Sequence, residues 1–137
     1  GMPKGVMHNL GAFAWSLATA LRRGAVQPDT RMLSYLPLSH VAERALVEFG
    51  LLETGMHVFF AESLDTFTAD LQRARPTIFF SVPRLWVKFQ QGVHHKMPEP
   101  KLEKLLRLPL IGSLVRRKIL RTLGLDQCRQ GWINADQ

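Results

Sequence analysis

The chain has 137 residues, of which 46% are hydrophobic and 21% charged, so it can bury a core and lies outside the composition of disordered segments. A single cysteine, Cys128, excludes an internal disulfide and makes a reducing, cytoplasmic setting the expectation. The net charge of +7 admits nucleic acid, an anionic membrane or a polyanionic small molecule as partner, while every apolar run falls short of the roughly 18 residues of a membrane span.

The first residues, GMPKGVMH, crowd two glycines and a lysine together. Glycine lets a backbone approach a ligand closely, and an ammonium group supplies charge to phosphate oxygens. No Ser or Thr follows Lys4 and no helix begins there, so this is not a Walker loop, and taken alone it reads as a surface turn. From Leu10 the period becomes helical: Leu10, Phe13, Ala14, Leu17, Ala18 and Leu21 share a face, and Gly24 stands where a C-terminal cap belongs. RMLSYLPL predicts a strand from Met32 to Leu36, halted by Pro37. Val41, Ala45, Phe49 and Leu52 form the next helical stripe, with Gly55 beyond it. HVFFA, residues 57–61, is a continuous apolar strand, and Asp65 or Thr66 caps a helix whose inner face is Phe67, Leu71 and Ala74. TIFFSV, residues 77–82, is a third strand. Pro83 then suits the first turn of a helix carrying Leu85, Trp86, Phe89 and Val93. Pro98 and Pro100 read as a stiff linker before two helices split at Pro109. In the second of these, Ile111, Leu114, Val115, Ile119 and Leu123 line one face, and Arg116, Arg117, Lys118 and Arg121 crowd the other.

Apolar strands without alternation are buried on both faces, the mark of a parallel sheet, and a helical pattern bridges each successive pair. The fold class is therefore α/β: a parallel βαβ layer of three to four strands flanked by helices, followed by a C-terminal helical pair. The organisation is one partial domain, with residues 1–9 as an opening loop, 10–95 as the βαβ core and 96–137 as a basic helical segment and tail.

Open α/β sheets place ligand groups where strands end and helices begin. YLPLSHVAER puts Ser39 and His40 at such a point; Ser39 can cap the helix, and Glu43 and Arg44 belong on a solvated face or in local pairs. FSVPRLW repeats the arrangement with Ser81, Val82, Pro83 and Arg84, which suggests one crevice near His40, Ser81 and Arg84. Trp86 reads as core. His94 and His95 are adjacent and face different ways on a helix, so a metal site is not expected, and Cys128 has no partner pattern. Between Lys96 and Arg121 no aromatic interleaves with the basic residues, which disfavours nucleic acid.

Four stretches in order, GMPKGVMH, LSYLPLSHVAER, RPTIFFSVPRLWVKF and LGLDQCR, resemble successive motifs of the AMP-forming acyl-CoA synthetases, most of all the long-chain fatty acid–CoA ligases. The resemblance implies an enzyme that joins a fatty acid to the α-phosphate of ATP with Mg2+, releasing pyrophosphate, and then passes the acyl group to coenzyme A. It implies that Gly1, Lys4 and Gly5 are the second half of a phosphate-binding loop, with Pro3–Met7 a strand leaving it. His40 would lie by the acyl carboxylate and adenylate as the catalytic residue, and Ser81, Val82, Pro83 and Arg84 beside the acyl site. The Ser-Gly-Thr-Thr run, the adenine segment, the magnesium-binding glutamate and the C-terminal lid of that family do not occur in these residues. The expectation is thus a piece of the N-terminal domain that binds none of these ligands tightly and is inactive by itself. The alternative is a non-catalytic module that self-associates through open sheet edges or lies against the anionic inner face of a membrane.

Overall fold

A computed structural model describes residues 5–133. Two compact units share the chain, one made of residues up to Thr30 with Leu36–Val58, the other of Arg31–Tyr35 with residues from Phe59 onward.

In the first unit, helix α1 (Leu10–Arg23) begins at Asn9, whose side-chain oxygen accepts the Ala12 N–H at 3.1 Å. Its inner face buries Leu17 and Leu21, as the periodicity predicts, while Leu10 and Ala14, expected on the same face, are exposed. Gly24 ends the helix, but in the right-handed region (φ −76°); the left-handed turn falls instead on Ala25, at φ 48°. Further on, a π-helical segment (Glu43–Phe49) runs directly into α2 (Gly50–Thr54). The predicted stripe of Val41, Ala45, Phe49 and Leu52 assumed a uniform α-helical pitch. The wider π turn rotates the register, so Glu43, Val47 and Gly50 face inward while Val41 and Leu52 are exposed. A Cβ on Gly50 would stand 3.0 Å from the terminal methyl of the buried Met56, a close contact to which that side chain would have to yield. Gly55 closes α2 at φ 69°, as its position predicts.

Among the described residues there are four strands, each of four residues: β1 (Arg31–Ser34), β2 (His57–Phe60), β3 (Ile78–Ser81) and β4 (Gln130–Ile133). The α/β layer is realised as two two-stranded sheets, β1 with β2 and β3 with β4. The β3–β4 pair is parallel, with Ile78 opposite Gln130 and Ser81 opposite Ile133. The β4 strand has no counterpart in the sequence reading, because QGWI carries too few branched apolar residues to announce one. In the second unit, β1 meets the start of β3 through the Thr77 N–H to the Arg31 carbonyl, 2.9 Å, and the Arg31 N–H to Thr77 Oγ1, 3.0 Å. Two expectations fail. Residues 5–7 form no strand and Val6 and Met7 are exposed, since nothing offers them a ladder. The β2 residues Phe59 and Phe60 are exposed rather than buried on both faces, Phe60 to 73%.

The second unit's core is Leu33, Phe67, Leu71, Ala74, Phe79, Phe89 and Leu125, with Tyr35 and Trp86 packed at its edge. Helix α3 (Phe67–Ala74) supplies its predicted face, and α4 (Pro83–Lys96) adds Phe89, with Pro83 in its first turn. Tyr35 and Phe67 meet edge to face at 5.0 Å, and Phe79 and Trp86 at 6.1 Å. Then α5 (Glu99–Leu106) and α6 (Pro109–Leu123) follow. Pro100 lies within the first turn of α5, where its missing N–H costs nothing, and not in a linker. At α6 the buried position is Gly112, with Val115, Ile119 and Leu123 half-buried. Ile111 and Leu114, expected on that face, are exposed, Leu114 to 64%.

Candidate functional site

The first candidate, His40, sits in the first unit at the entry to the π-helical segment. Its backbone N–H donates to the Pro37 carbonyl at 2.8 Å, closing the Pro37–His40 turn that the proline sets up. Its ring nitrogen Nδ1 accepts the Ala42 N–H at 3.2 Å. His40, not Ser39, therefore supplies a side-chain acceptor at this helix entry, and the ring is half-buried and oriented by the backbone. Arg44 pairs with Glu48 at 3.1 Å and donates to the Leu38 carbonyl, holding the loop that carries His40. Glu43, expected on a solvated face or in a local pair, is buried, because the π winding turns it inward.

Ser81 through Arg84 lie in the second unit, where β3 passes into α4. Ser81 is fully buried, and its Oγ accepts the Trp86 indole N–H at 2.5 Å. That bond joins strand end to helix start, and it places Trp86 against the core rather than in solvent. Val82 adopts extended geometry and accepts the Leu85 N–H at 3.0 Å, Pro83 begins the helix, and Arg84 is exposed. His40 belongs to the first unit, and Ser81 and Arg84 to the second. Of the loop residues, Gly5 is exposed, with no described atom near where a side chain would stand; Gly1 and Lys4 lie outside the described residues. Among the described residues no group of three or more His, Cys, Asp or Glu side chains is placed to hold a metal ion.

Sequence reasoning missed a cavity of about 470 Å3 in the second unit, whose lining draws on α3, α4, α5 and α6. Phe89, Val93, Val115 and Ile119 contribute apolar walls, and Lys88, Lys96 and Lys118 bring cations to the same space. The lysines at 88 and 96 are two α-helical turns apart on α4, which is the one signal that could have found it.

Three electrostatic features support this unit. The Asp70 carboxylate is buried and accepts the Thr66 hydroxyl at 2.7 Å, the Glu62 N–H at 3.0 Å and Arg73 at 2.8 Å. The Thr66 and Glu62 hydrogen bonds, with Arg73 nearby, hold its pKa below the ordinary carboxylate value. Arg75 takes a left-handed conformation at the end of α3 (φ 43°), its guanidinium pairs with Asp126, and its carbonyl accepts two bonds from Arg31 at 3.0 and 2.9 Å. The Arg75 hydrogen bond likewise lowers the Asp126 pKa. Burial pushes the Cys128 thiol up, away from the reactive thiolate.

The chain matches the family model described as AMP-binding enzyme over residues 1–126. It is 28% identical to a long-chain-fatty-acid–CoA ligase (ACSBG2) of Xenopus laevis across 98% of this chain and 23% of that protein. With the ACSBG2 ligase of Rattus norvegicus the identity is 34%, over 93% of this chain and 24% of the relative. The Bos taurus ligase ACSBG1 is 26% identical over 98% of this chain and 23% of its own length. The chain thus spans about a quarter of the length of these relatives. No solved structure matches it.

Proposed function

This chain belongs to the AMP-binding enzyme family, and from that membership we propose that it is part of a long-chain fatty acid–CoA ligase. The observation that carries the reading is the family match over residues 1–126, together with ligases of that name aligned along nearly the whole chain. ATP supplies the electrophilic α-phosphorus that a fatty acid carboxylate attacks, and coenzyme A accepts the acyl group. In this reading Lys4, between Gly1 and Gly5, places a positive charge against the phosphates, where it stabilises the departing pyrophosphate. His40, with Nδ1 fixed by the Ala42 N–H, presents an oriented imidazole to the acyl carboxylate. Ser81, Val82 and Pro83 set the start of α4 beside the acyl chain through the Ser81–Trp86 bond, and Arg84 stands exposed next to them.

The 137-residue chain alone is expected to release no pyrophosphate from ATP, Mg2+ and palmitate; turnover above background would overturn that part of the reading. A chimera carrying residues 1–126 in place of the matching segment of the rat relative tests the rest. It should retain palmitate-dependent pyrophosphate release, and His40→Ala or Lys4→Ala should lower the rate by about a hundredfold. Variants as active as their parent would remove these residues from the site. A second reading, self-association, is favoured by the exposure of Phe60 on β2 and of Leu64 just beyond it. Light scattering should then report a dimer or larger species.

A further inference from the structure

We propose that the exposed face of α6 is a docking surface for an anionic lipid bilayer. Leu110, Leu114, Arg117 and Arg121 are spaced by four, three and four residues, which puts them on one stripe of the helix. Leu110 is 80% and Leu114 64% exposed, and Arg117 and Arg121 are exposed as well. The opposite side of α6 is occupied within the unit: Gly112 is buried, Val115 and Ile119 face the cavity, and the Thr122 carbonyl accepts the Gln72 side-chain amide at 2.5 Å. The stripe is therefore polarised along its length, with leucines in the first turns and arginines one to two turns later. Leu108 and Ile111, also exposed, widen the apolar end.

This order matches a bilayer surface. The leucines reach the acyl boundary while the long arginine side chains keep their guanidinium groups at the phosphate level. Charge selects the lipid. α6 has four basic residues and no acidic one, and from Lys96 to Arg121 eight basic residues face only Glu99 and Glu103. A second copy of the same face would bring like charges together, and a nucleic acid would leave the leucines unmatched, with no aromatic in this stretch to stack on bases. The inference does not rest on the ligase reading, and its test contains no nucleotide or acyl substrate.

The experiment is co-sedimentation of the 137-residue chain with phosphatidylcholine vesicles, with and without about 30% phosphatidylserine. Binding is expected with phosphatidylserine, at least about tenfold weaker without it, and falling as salt rises. Leu110→Asp with Leu114→Asp should lower the partition coefficient at least about tenfold, and so should Arg117→Glu with Arg121→Glu. All four positions are exposed, and circular dichroism checks that the helix remains. The inference is overturned by equal binding to both vesicle types, by leucine variants that bind like the parent, or by failure to sediment. Retention by duplex DNA with no sedimentation would reassign the face to nucleic acid.

Discussion

Two glycines show how a single residue is constrained in different ways. Gly55 and Gly124 both hold positive φ, 69° and 76°, at helix ends. Around Gly55 there is open space, whereas a Cβ on Gly124 would stand 2.5 Å from the Leu71 carbonyl oxygen and 2.6 Å from Gln72 Cα. Backbone strain alone should make Gly55→Ala cost about 1–2 kcal/mol. Gly124→Ala adds a clash with the backbone of α3 and should cost about 3–5 kcal/mol. Urea unfolding of the two variants, at unchanged slope, measures the difference; equal losses would show that α6 can move away from α3. Gly55 was legible in the sequence as a helix stop, whereas the constraint on Gly124 comes from its packing against α3. His40 and Ser81 were likewise legible as polar residues at element junctions. Their hydrogen bonds, to the Ala42 N–H and from the Trp86 indole, depend on how the neighbouring turn closes.

Among the elements, α3 is fixed at both ends by charge. Asp70 gathers Thr66, the Glu62 N–H and Arg73 near its start, and Arg75 ties its end to Asp126 and, through its carbonyl, to Arg31. Because the Asp70 pKa is lowered in the folded state, its contribution to stability is present above the unfolded value of about 3.9 and is lost as pH falls through the folded one. Stability should therefore decline as pH falls below about 4 toward the folded-state pKa, and Asp70→Asn should be less stable at neutral pH with a shallower acid decline. Urea midpoints across that range check it; parallel curves for parent and variant would dismiss the role of Asp70. The sequence announced α3 through Phe67, Leu71 and Ala74, yet not this network, whose members range from residue 31 to residue 126. The π-helical segment was illegible for another reason: periodicity assumes a constant pitch, and the segment departs from it.

For the molecule as a whole, Cys128 reports on the second unit from within. The thiol is half-buried beside the core and its pKa is raised, so maleimide labelling near neutral pH should be slow and limited by opening. Leu71 is wholly buried, and Leu71→Ala should cost about 3 kcal/mol, which speeds labelling by about a hundredfold if opening is global. An unchanged rate would mean that Cys128 is reached by local fraying of the adjoining β4. The cavity lined from four helices belongs to the same scale, because no window of sequence contains it.

The sequence by itself determined the helices with regular apolar stripes, the three apolar strands, the breaks at Gly24, Gly55, Pro83 and Pro109, and the motif order that matches the AMP-binding enzyme family. These are local patterns, and local sterics and burial periodicity are enough to write them. Only the tertiary structure decided that the strands pair two by two, that QGWI completes a sheet with β3, and that Phe60 and Leu114 are exposed. Pairing and burial depend on which surfaces meet across long separations, and a residue's own neighbours in sequence carry no record of that.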